Sequence, residues 1–128
     1  MADYAADWAQ RIEDLESGYE FMLAYAAQGQ VNDDPKGEGS QVRAFLAKMK
    51  DGLEGLGASA EKMASMNGLI GFEAFVKEME TDAQRAQVGI ALVLGKSVLS
   101  SQLIDNLNAS IHLRTLLTDL FLFDEALK

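Results

Sequence analysis

At 128 residues, 48% hydrophobic and 24% charged, the chain is long enough for one hydrophobic core and too short for two. Twenty acidic side chains against eleven basic ones leave a net charge of -9, a field that repels phosphate backbones and anionic headgroups and so argues against nucleic-acid and membrane-surface binding. The chain has no cysteine, which removes disulfides, thiolate metal sites and cysteine nucleophiles.

Pro35 is the only proline, and outside residues 29–40 Ala, Leu, Met, Glu, Gln and Lys dominate, all good helix formers. The expected fold is all-α: a single domain forming an antiparallel four- to five-helix bundle of up-and-down topology. Met1-Ala2-Asp3-Tyr4 lacks the basic flank and apolar run of a secretory signal. The longest apolar stretch, Val88 to Leu94, is far below the ~20 residues needed to cross a bilayer. A cytoplasmic location is therefore expected.

The first helix is placed at about 3–28, with Asp3 as its cap. Tyr4, Trp8, Ile12, Leu15, Tyr19, Met22 and Ala26 recur at steps of four and three, giving the clearest apolar stripe in the chain. Phe21, Leu23 and Tyr25 lie off that stripe, so the second half is apolar nearly all round. Trp8, Tyr19, Phe21 and Tyr25 are accordingly candidates for lining an apolar ligand pocket, with core packing as the plainer account. Residues 1–40 hold -7 of the net charge. Glu13, Asp14, Glu16 and Glu20 are the candidate docking face for a basic partner, weighed against an ordinary solvated face.

Residues 29–39 read as the one long loop. A second helix follows at about 40–56, capped by Ser40, burying Val42, Phe45, Leu46, Met49, Leu53 and Leu56 and closing at Gly57. The third, at about 59–80, turns Met63, Met66, Ile70, Phe75, Val76 and Met79 inward, and Asn67-Gly68 kinks or divides it. Thr81-Asp82-Ala83-Gln84 resembles a capping box opening a fourth helix at 82–106. Between Ala86 and Ile104 the only charge is Lys96, so this segment is expected to be covered on most sides, by the bundle or by a second subunit.

The last helix, about 108–127, puts Ala109, Leu113, Leu116, Leu120, Phe123 and Leu127 inward. Leu117, Phe121 and Leu122 widen the apolar arc beyond one seam, which makes them candidate partner-binding residues. Asp124 and Glu125 in the last turn oppose the helix dipole. A basic group from another chain would relieve them.

No motif for chemistry survives inspection. Gly89-Ile90-Ala91-Leu92-Val93-Leu94-Gly95-Lys96-Ser97 is one residue longer than a phosphate loop and lacks its preceding strand. Asn32 to Arg43 places cations where a calcium loop needs carboxylates, leaving only a weak set of Asp33, Asp34 and Glu38. His112, the sole histidine, has Asp105 and Asp119 seven residues away on either side, too distant along a helix for a triad. No cofactor and no metal are expected. The sequence points to a non-enzymatic acidic accessory or adaptor protein that binds another protein with a basic surface, forms a homodimer, and takes neither nucleic acid nor membrane. The alternative is a sensor or carrier holding an apolar small molecule between helices.

Overall fold

The computed structural model describes residues 3–29 and 38–128, in which the chain forms six helices and no strand. These are α1 (Tyr4–Ala27), α2 (Glu38–Leu53), α3 (Leu56–Met66), α4 (Glu73–Leu94), α5 (Ser101–Ala109) and α6 (Ile111–Ala126). The all-helical class is as expected; the helices are more numerous and shorter.

Local chemistry explains each boundary. Asp3 caps α1 by accepting the Ala6 amide at 3.0 Å, satisfying one of the free donors of the first turn. α2 begins at Glu38, before Ser40. The candidate calcium ligands Asp33, Asp34 and the Glu38 side chain lie outside the described residues. α2 stops at Leu53, short of the expected Leu56, because Arg11 from α1 collects the Gly52 carbonyl at 2.8 Å and the Glu54 carbonyl at 2.5 Å. A guanidinium thus closes the negative end of α2. Glu80 from α4 accepts the Gly57 amide at 2.6 Å, placing a carboxylate at the positive end of α3.

Asn67-Gly68 divides the predicted third helix. Leu69 N–H donates to Ala64 O at 3.0 Å and Gly68 N–H to Ser65 O at 3.3 Å, with Gly68 at φ +68°. That is a Schellman stop, which needs a left-handed residue where glycine stands. The elbow carries Ile70 into solvent at 94% exposure, and Met66 is exposed too, so both depart from the expected inward stripe.

α4 then runs unbroken through the expected boundary at 82. The Thr81 hydroxyl donates to the Lys77 carbonyl at 3.1 Å inside the helix, back-bonding rather than capping. The true break is Gly95 to Ser100, after which Ser100 caps α5 by accepting the Leu103 amide at 3.1 Å. Arg43 donates to the carbonyls of Lys96 at 2.8 Å and Ser97 at 2.7 Å. The Gly-Lys-Ser turn therefore offers carbonyls to a cation, the opposite of a phosphate cradle.

α1 and α2 lie antiparallel: Arg11 meets Gly52 near one end, and Phe21 stacks on Phe45 at 4.4 Å near the other. Between them Gly18 lets Met49 approach so closely that a Cβ would strike its thioether. α4 and α6 are also antiparallel, with Phe75 stacked on Phe123 at 6.0 Å. Core residues come from all six helices, among them Leu15, Met22, Leu46, Met49, Met79, Ile90, Ile104, Leu116 and Leu120. Because α2 and α3 cover one flank of α4 while α5 and α6 cover another, its outer face stays open. Val88 is 72% and Leu92 74% exposed, which corrects the expectation that this segment is enclosed.

Candidate partner-binding groove

The α3–α4 elbow and the last two turns of α6 enclose an apolar cleft of about 170 Å³, lined by Leu69, Ile70, Phe72, Phe75, Leu122 and Phe123 with Gly71 and Ala126. The stop at Gly68 and the left-handed Gly71, at φ +77°, lift Leu69 and Ile70 over the end of α6. Phe75 and Phe123 form the floor. Leu122, 59% exposed, forms the free wall.

Glu78 and Asp82 follow Phe75 at three and seven residues, and Asp119 precedes Leu122 and Ala126 at three and seven. These spacings put the carboxyls on the same helix faces as the cleft walls. The groove between α4 and α6 therefore runs from an apolar cleft into a group of carboxyls about 5–10 Å further along, at ~1.5 Å per residue. Burial, the hydrogen bond to Asp82 and the charges of Asp82 and Glu78 together push Asp119 up to about 7. Asp119 Oδ2 is buried and finds no donor among the described residues. Arg85 reaches Asp82 only at 3.9 Å and is largely exposed. Among the described residues no three His, Asp or Glu side chains are arranged to hold a metal ion.

Two larger clefts flank α3 and are chemically different. One of about 580 Å³, between α3 and α4, is lined by Glu61, Glu73, Lys77, Glu80 and Thr81 together with Ala58, Phe72 and Val76, so charged side chains of both signs stand around an apolar base. The other, of about 480 Å³, lies over Asp3, Tyr4, Asp7, Arg11, Ser59 and Lys62. Its charges are already engaged. Arg11 bonds Asp7 at 2.9 Å and, with help from the Ser59 hydroxyl, holds that carboxyl below its usual range against partial burial.

The residues singled out from sequence distribute unevenly. Trp8 and Tyr25 are core side chains: Trp8 Nε1 donates to Asp124 at 3.0 Å and the Tyr25 hydroxyl to the Leu99 carbonyl. Phe21 is engaged with Phe45, and Tyr19 is partly buried against the core. None of the four lines the clefts above. Glu13, Glu16 and Glu20 are exposed along α1, and Asp14, half-buried, accepts from Gln10 at 2.9 Å. Leu117 is buried by its own chain and leaves the set of exposed α6 residues, because α5 and α4 both close on that helix. Phe121 and Leu122 are exposed, but only Leu122 joins the cleft. The acids of the last turn need no second chain, since Asp124 accepts from Trp8 and Glu125 pairs with Lys128 at 3.1 Å. His112 is exposed.

Sequence reasoning missed Asp82, Asp119, Phe72 and Phe75 as one surface. The available signal was Asp119 sitting between Leu116, Leu120 and Phe123, an acid on the shoulder of an apolar stripe. Comparison of the chain with protein-family models, curated proteins and solved structures gives no match.

Proposed function

We propose that this protein is a non-enzymatic adaptor whose α4–α6 groove binds an amphipathic helix of another protein. The observation that carries this reading is the apolar cleft with its wall exposed: Ile70 and Leu122 stand largely in water at the mouth of a cavity floored by aromatic rings. Leaving such side chains uncovered forgoes roughly 1.5–3 kcal/mol each, and exposed apolar patches with polar rims mark interaction surfaces. At about 170 Å³ the cleft is smaller than the ~300–1,000 Å³ of small-molecule sites. It suits a single inserted side chain, as in helix-in-groove recognition.

Charge selects the kind of partner. Two copies of this chain would bring -9 against -9, whereas a basic helix would be drawn toward Asp82, Asp119 and Glu78 and, at longer range, toward Glu13, Glu16 and Glu20. We therefore favour a different protein over a second copy. The carrier alternative needs Trp8, Tyr19, Phe21 and Tyr25 to line a pocket, whereas Trp8 and Tyr25 are buried in the core and Tyr19 and Phe21 pack partly buried against it.

A photoreactive phenylalanine at position 122, compared with one at position 20, tests the reading in the native host. A discrete protein adduct from 122 is expected, and the purified partner should bind the wild-type protein at least tenfold tighter than Leu122→Glu. Adducts from 20 alone, or equal binding by the Leu122→Glu variant with its helical signal intact, would contradict it.

A further inference from the structure

The groove's chemistry specifies its occupant more closely than an apolar patch alone. Its two features lie in a fixed order: an anchor cleft at Phe75 and Leu122, then one to two turns away along both helices the facing carboxyls of Asp82 and Asp119, with Glu78 between. We infer that the partner helix carries one lysine or arginine one to two helical turns from its apolar anchor, and that this cation docks between the carboxyls of Asp82 and Asp119. The inference rests on the groove being a docking site, as proposed above.

The argument is one of unmet electrostatics. Asp119 Oδ2 is buried and lacks a donor among the described residues. The groups bearing on it come from α4: Asp82 opposite, Glu78 one turn away, and Arg85, which approaches Asp82 at 3.9 Å from the solvent side. On α6 the nearest ionisable groups are committed or remote: Asp124 holds Trp8, Arg114 donates to the Asn108 carbonyl at 3.2 Å, and His112 stands exposed two turns back. Asp105 on α5 is exposed. Among the described residues these three carboxyls thus face one peripheral cation, Arg85, and Asp119 is held toward its neutral form. An ammonium or guanidinium brings both the missing donors and the missing charge, and covering the groove strengthens the pair by excluding water. Docking then releases the proton from Asp119 to solvent, so binding tightens as pH rises through about 7, where Asp119 titrates.

The test uses two synthetic 18-residue amphipathic peptides, identical except that one has Lys and the other norleucine seven residues from a single Phe anchor. Either peptide is free to dock in both directions, so one cation position suffices. Calorimetry at pH 6 and pH 8, in buffers of different ionisation enthalpy, should show the Lys peptide binding about tenfold tighter at pH 8 with proton release. The advantage should shrink at pH 6 and vanish in Asp82→Asn/Asp119→Asn. Equal affinities for the two peptides, both abolished by Leu122→Glu, would overturn the cation and leave the docking groove standing. If neither peptide binds, or if binding ignores Leu122→Glu, the groove reading falls and the inference with it.

Discussion

At the scale of single residues, the most consequential side chain is one that no motif marked. Asp119 is held above its unfolded value by burial and by Asp82 and Glu78, so between about pH 4 and pH 7 the folded chain keeps a proton that the unfolded chain has lost. Wild-type stability therefore falls as pH rises through that window and levels off above it. Asp119→Asn should remove the fall, and at pH 8 it should be more stable than wild type by about 1–2 kcal/mol, a figure kept low because the group is partly open to screening solvent. Thermal melts at pH 5 and pH 8 decide this; a variant less stable than wild type at pH 8 would contradict it. Trp8 gives a second case. Trp8→Phe keeps the ring against Phe123 but removes the bond to Asp124, with an expected cost of ~1 kcal/mol and a Tm lower by roughly 3–5 °C.

Elements were legible where pattern and stop signals agreed. α1 was, because Asp3 caps it and its stripe is long. α6 was too from Ile111 onward, since Leu113, Leu116, Leu120 and Phe123 repeat without interruption, whereas Asn108 and Ala109, expected at its start, belong to α5, where Ala109 is exposed. Boundaries in the middle were misplaced because the decisive bonds come from elsewhere in the chain: Arg11 ends α2, Glu80 starts α3 and Arg43 seals the end of α4. Thr81 resembles a cap in sequence alone, whereas inside α4 its hydroxyl donates to the Lys77 carbonyl. Arg11→Met should thus cost about 1–2 kcal/mol, as a helix end loses its cation and its bonds to carbonyls of Gly52 and Glu54. Arg85→Met, exposed, should stay within ~0.5 kcal/mol. Equal costs for the two would show that Arg11 is not closing α2. The groove was illegible for the same reason, since α4 and α6 meet only in the tertiary structure and Phe75, Asp82, Asp119 and Leu122 share a surface through that pairing.

At the scale of the whole molecule, charge and apolar surface are separated in a way that composition foretold only in part. The acids of α1 stand on an exposed face, while the groove combines a few carboxyls with an apolar cleft. On the proposed function, long-range attraction and short-range fit are carried by different surfaces. Reversing Glu13, Asp14, Glu16 and Glu20 to Lys should leave the fold intact, slow partner association and flatten its salt dependence, while changing dissociation little. Stopped-flow association at two salt concentrations checks it; an unchanged rate would reduce the α1 face to a solubility device. The central claim, that the α4–α6 groove is the partner site, is tested most directly by mapping amide shifts of isotope-labelled protein on titration with the partner captured at position 122. Perturbations concentrated at residues 69–82 and 119–126 are predicted. Shifts confined to the acidic face of α1, or to Val88 and Leu92 on the outer face of α4, would contradict it.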